Sequence, residues 1–134
     1  MNNPYPIDWH RLLRGVLVGV LIGEAVTIVL LFLFSCMMAF VDLPLAAADW
    51  MSSGALVIGA AAGGFLSAVI SKANGLLTGF LCGALFCILL ILLSLVFHSF
   101  EVTAFFLLKV TLSLIFSAIG GILGVNRKQR KRKY

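Results

Sequence analysis

Charge is what this chain has least of. Only 11% of its 134 residues are Asp, Glu, Lys or Arg, and five of those are acidic, against the ~25% that a soluble domain carries. That deficit excludes an ordinary water-facing globular surface. Proline is scarce too, with three residues at positions 4, 6 and 44, so long stretches run without a helix breaker. The three cysteines, Cys36, Cys82 and Cys87, are too dispersed for metal spacing, and their odd number leaves no complete disulfide set. They read as small apolar core residues. His10 and His98 stand at opposite ends of the apolar runs, too far apart to share a metal. The acidic residues form no pair, none of Ser67, Ser71, Thr78, Ser94, Thr111, Ser113 and Ser117 has a His or acidic partner that suggests nucleophilic catalysis, and no glycine loop joins a strand to a helix. The reading is therefore non-enzymatic, with no cofactor.

What fills the chain is hydrocarbon. Hydrophobic residues make up 62% of it and the mean hydropathy is +1.15, too much apolar surface for a fold of this size to hide from water. The runs predict four membrane spans, at about residues 12–40, 52–71, 76–97 and 102–125, each reaching the roughly 20 residues needed to cross. Residues 33–36 loosely mimic a lipoprotein cleavage box, but the first run is too long for a signal peptide. The connections are short: Asp42, Pro44, Asp49 and Trp50 in the first, Lys72 to Gly75 in the second, His98 to Glu101 in the third. Short connections make sequential helices antiparallel neighbours. The expected fold is all-α, an integral membrane antiparallel four-helix bundle, with an N-terminal segment (1–11), a membrane domain (12–125) and a basic tail (126–134).

The net charge of +5 resembles a nucleic-acid signal until it is located. Arg127, Lys128, Arg130, Lys131, Arg132 and Lys133 all lie in the last eight residues. Together with Arg11, Arg14 and Lys72 they fall on one side of an even number of crossings, nine positive residues, while the opposite connections hold Asp42, Asp49, His98 and Glu101 and no Lys or Arg. Positive loops stay in the cytoplasm, so both termini are expected there. Tyr5 and Trp9 fit an inner aromatic belt and Trp50 an outer one. The tail is an anchor to anionic headgroups, each charge contributing about 1 kcal/mol; no nucleic-acid partner is expected.

Glycine is arranged rather than abundant. Gly15, Gly19 and Gly23 recur every fourth residue in the first span, and Gly75, Gly79 and Gly83 repeat this sixty positions later. The second span carries Gly59 and then AAGGFLS (61–67) with Gly63 and Gly64; the fourth answers with AIGGILG (118–124), holding Gly120, Gly121 and Gly124. Such stripes let helix backbones approach closely. A hairpin written twice and the ordinary glycine richness of membrane helices both account for the pattern. If duplicated, both copies enter from the same side, so the axis relating them is expected along the membrane normal. The stripes sit in the halves nearest the termini and bulky residues in the other halves, which predicts a bundle tight at one end.

Two charges fall inside the spans. Glu24 lies about 18 Å along the first and Lys109 about 10 Å into the fourth, and a charge there costs several kcal/mol unless paired. One reading joins them as an ion pair between the first and last helices. A second leaves Lys109 snorkelling to the headgroups and Glu24 protonated, bonded to Thr27 or Ser117. A third makes Glu24 a proton or cation site.

From residues 63–83, GGFLSAVISKANGLLTGFLCG, and 117–126, SAIGGILGVN, the chain resembles the YrzE-like family of small four-span bacterial membrane proteins. The resemblance implies this topology and a bacterial cytoplasmic membrane, and no activity. The functional expectation is a multi-pass protein that packs through its glycine faces with itself or a membrane complex. One alternative is a small proton-coupled transporter using Glu24, similar to small multidrug resistance transporters; against it, those are antiparallel dimers with little charge bias. Another is a holin-like pore former, for which overexpression would permeabilise the membrane.

Overall fold

A computed structural model describes residues 8–72, 74–96 and 103–130, with side chains as far as residue 127. Among them the chain forms four helices and no strand: α1 Trp9–Phe40, α2 Leu45–Ser71, α3 Gly75–Val96 and α4 Ala104–Arg130. Hydrocarbon offers backbone N–H and C=O groups no water, and a helix satisfies them within one segment. All four are long and apolar enough to cross a bilayer. The protein is a multi-pass membrane protein with an all-α four-helix bundle. At 32 residues, α1 is about 48 Å long, well beyond the ~30 Å of a hydrocarbon core.

Three helices match the expected spans closely, whereas α2 begins seven residues before the expected boundary. Pro44, with φ −63° and ψ 147°, immediately precedes its first turn, where a missing N–H is harmless. The Pro44 carbonyl accepts the Ala47 N–H at 2.8 Å, and alanines 46–48 are strong helix formers. Hydropathy dips at Asp49 and Trp50 but helicity does not, so both belong to α2 and the first connection shrinks to residues 41–44. At the other end of α2, Lys72 is left-handed (φ 54°, ψ 15°) and donates its N–H to Ala68 O at 3.3 Å. This closes the helix as a cap and turns the chain toward α3. Beyond the expected fourth span, α4 continues through Arg130, so the basic tail starts as helix.

The helices form a ring in the order α1, α2, α4, α3, with α2 also packed across the ring against α3. Since α2 and α4 run the same way, Ala61 meets Gly120 and Phe65 meets Gly124. The antiparallel pairs are α1 with α2, α3 with α4, and the diagonal α2 with α3. Opposite them, α1 and α4 do not pack on each other. This excludes a closed two-fold along the membrane normal as the relation between the hairpins. Exchanging the two hairpins by a two-fold would make α1–α4 equivalent to α2–α3, and only the second exists. The hairpins stand side by side instead.

Their seams still resemble one another, in a register the sequence match does not give. Aligning the Gly-Gly pairs implies an offset of 57 positions between α2 and α4. In the packing, Gly19 meets Gly63 O as Gly79 meets Ser117 O, and Gly15 meets Ser67 O as Gly75 meets Gly121 O. That offset is 54, nearly one turn different, which keeps the same helix face in the seam.

Burial follows depth. In α1 the buried residues stop at Thr27 and in α3 at Cys87, and Leu12, Val16, Val20 and Cys82 form a core cluster flanked by Leu81 and Leu85. Past them, toward the α1–α2 connection, Ile28, Val29, Phe32, Leu33 and Met37 are exposed. The half holding the described termini and the α2–α3 connection (the terminal side) is closed, and in the opposite half (the distal side) α1 and α3 are exposed while α2 stays buried as far as Ser53.

Candidate functional site

The polar and cavity-lining side chains that stand apart from the seams gather on the distal side. Starting α2 at Leu45 puts Asp49, Ser52, Ser53 and Leu56 on one helix face, at spacings of three, four and seven. The Ser52 and Ser53 hydroxyls donate back to Asp49 O at 3.0 and 2.7 Å. On α4, five residues past its start and so about 8 Å deep, Lys109 donates from Nζ to Ser52 Oγ at 3.1 Å and sits 3.9 Å from Asp49 Oδ1. Trp50 packs edge-on against Phe105, ring centres 6.2 Å apart at 83°. Beside this cluster, Leu56, Leu90, Leu93, Ser94, Phe106, Lys109 and Val110 line a cavity of about 280 Å3 between α2, α3 and α4. Leu93, one of its lining residues, is 56% exposed.

Glu24 and Lys109 are not brought together. Gly23 packs against Gly59, which lies ten residues along α2 from Asp49, so Glu24 is about 15 Å farther from the distal face than the Lys109 cluster. With α2 between α1 and α4, the expected ion pair is replaced by Lys109 with Asp49 and Ser52. Neither hydroxyl expected to bond a protonated Glu24 donates to it. Thr27 Oγ1 donates to Gly23 O at 2.9 Å and Ser117 Oγ to Gly79 O at 2.8 Å. Glu24 is half-buried on α1, without a hydrogen-bonding or ionic partner among the described residues.

The glycines act inside the chain. A methyl on Gly15, Gly19 or Gly23 would strike α2; one on Gly59 or Gly63, α1; one on Gly64, α4; one on Gly75, Gly79 or Gly83, α4; one on Gly121, α3; and one on Gly120 or Gly124, α2. Only Gly54 has nothing within 4 Å. These faces are therefore occupied by the chain itself.

The hydroxyls are structural contacts. Ser71 Oγ donates to Thr78 Oγ1 across the α2–α3 turn at 3.3 Å, Thr111 Oγ1 to Leu107 O and Ser113 Oγ to Val110 O. Buried Cys87 lies 3.2 Å from Ser113 Oγ, whereas Cys36 is exposed. Ser67 Oγ is fully buried and has no hydrogen-bond partner among the described residues; it lies beside the Cys82 thiol. No cluster of three His, Cys, Asp or Glu able to hold a metal occurs among the described residues. Arg11, Arg14, Lys72 and Arg127 are all exposed on the terminal side. Tyr5, His98, Glu101, Lys131, Arg132 and Lys133, and the side chains of Lys128 and Arg130, lie outside the described residues.

The sequence profile of one family, described as Protein of unknown function (DUF3792), matches residues 12–124. The chain belongs to that family. The match starts and ends with the membrane domain, taking in the glycine seams and the distal cluster. No curated protein and no solved structure matches the chain.

Proposed function

We propose that this chain is a non-enzymatic membrane protein that works by lateral assembly, joining a second copy or a larger membrane complex along the face of α1 that carries Glu24. One observation carries the reading: Glu24 is half-buried near mid-membrane with no partner of its own among the described residues. An unpaired acidic residue at that depth costs about 2.5–3.5 kcal/mol on insertion scales. A hydroxyl, amide or cation on a neighbouring helix removes that cost, and α4, the helix that carries the intramembrane Lys109, does not reach α1. The glycine faces being occupied, the contact uses the outward side chains of α1. Buried hydroxyls already bonded to carbonyls and to one another support a role without catalysis.

Nine basic residues on the terminal side support cytoplasmic termini, and the tail holds that face against anionic headgroups. This arrangement and the YrzE-like resemblance favour a bacterial cytoplasmic membrane.

Purification into nanodiscs directly from the membrane tests the reading. A stoichiometric membrane protein or second copy should accompany the wild type, survive in Glu24→Gln, and be lost in Glu24→Leu. A well-folded wild-type monomer recovered alone would sink it. Glu24 also favours one second reading, proton-coupled transport: a homodimer whose substrate flux depends on a pH gradient and stops in Glu24→Gln would select it.

A further inference from the structure

The distal cavity unites three properties that point to one class of ligand. Its walls are hydrocarbon, from Leu56, Leu90, Phe106 and Val110. Its mouth lies at half-exposed Leu93, beside exposed Leu92 and Val96, so in a helix that crosses the bilayer it opens among apolar side chains that lipid covers. At its rim stands Lys109, the one cation among the described residues of the distal half. We propose that this cavity binds an anionic phospholipid of the distal leaflet, with one acyl chain in the cavity and the headgroup phosphate on Lys109.

Depth and donor count agree with this. About 8 Å below the start of α4, an aliphatic stem lies in hydrocarbon while its ammonium reaches up toward headgroup level. An ammonium has three N–H donors. Ser52 Oγ takes one at 3.1 Å, whereas Asp49 at 3.9 Å is beyond hydrogen-bond range. Two donors therefore remain for phosphate oxygens. Asp49, 65% exposed, is the competitor, since its charge partly neutralises Lys109 and repels an incoming anion. A volume of about 280 Å3 lies at the lower edge of the ~300–1,000 Å3 of small-molecule pockets, room for a single chain and not a whole lipid. A zwitterionic headgroup carries its own counter-charge, so selectivity for net negative lipid follows from Lys109 alone.

The chain has two tryptophans, and Trp50 stands beside the site through its contact with Phe105. In a Trp9→Phe background, Trp50 fluorescence is measured in phosphatidylcholine nanodiscs titrated with brominated phosphatidylglycerol or brominated phosphatidylcholine. Half-maximal quenching should require about tenfold less phosphatidylglycerol, the size expected of one charge-assisted contact. Lys109→Gln should abolish the preference, and Leu90→Phe, which fills the cavity, should reduce it. Asp49→Asn should widen it, a gain that misfolding cannot imitate. Equal quenching by the two lipids, a preference that survives Lys109→Gln or Leu90→Phe, or no gain in Asp49→Asn would each overturn the proposal. So would displacement by millimolar inorganic phosphate, which would make the ligand a soluble anion.

Discussion

A methyl group added to Gly19 would lie 2.5 Å from Ser67 Cβ and 2.6 Å from Gly63 O, and the Gly63 carbonyl, part of the helix backbone, cannot swing aside. Replacing Gly19 by Leu should therefore cost about 2 kcal/mol or more, seen as a lower SDS fraction at the unfolding midpoint. Gly54→Ala is the opposite case. With open space around it, the change should be neutral or stabilise α2 by about 0.5–1 kcal/mol through helix propensity. Ser117→Ala removes the α4–α3 hydrogen bond to Gly79 O and should cost about 0.6 kcal/mol in the same titration. The four-residue spacing of the glycines was legible in the sequence because it is a property of one helix. Which helix each stripe meets was not, because a stripe records a face and carries no address. Ser67 illustrates the limit: its burial follows from the close approach of Gly19, and nothing local announces it.

Among the elements, α2 shows why the distal cluster was missed. Hydropathy marks where lipid begins, and α2 starts a further seven residues out, behind Pro44 and with a run of alanine in its first turn. With Asp49 read as a connection, its helical spacing to Ser52, Ser53 and Leu56 is hidden, and Glu24 is the one carboxylate that the sequence offers Lys109 within the spans. Cysteines at positions 49 and 109 (Asp49→Cys with Lys109→Cys), in a chain with Cys36, Cys82 and Cys87 replaced by Ala, should cross-link with a short bifunctional reagent. Glu24→Cys with Lys109→Cys should not. The other end of α2 stores strain. Lys72 holds a left-handed conformation that is unfavourable by about 1–2 kcal/mol for a residue with a side chain. After the entropy of glycine is counted, Lys72→Gly should raise stability by about 0.5–1 kcal/mol in SDS unfolding. Eight of the nine terminal-side cations remain in that variant, so its orientation should not change.

For the whole molecule, the four crossings and the segregation of charge were readable from composition and position alone, because a bilayer imposes length and sign on every span. The order of the helices around the bundle was not, since short connections permit both the ring observed and one in sequence order. A reporter fused after Tyr134 and another inserted at Val41 should give opposite compartments, the first cytoplasmic. Finding both on one side would remove the four-span topology itself. The seams also have a temporal meaning. Every α1 glycine is matched by α2 alone, so the first hairpin possesses its complete interface once the chain has been synthesised as far as Lys72. The α3 stripe has no such complement until α4 arrives, and α4 in turn divides its glycines between α3 and α2. During vectorial synthesis the last helix is thus the keystone, locking a finished pair to an unfinished one.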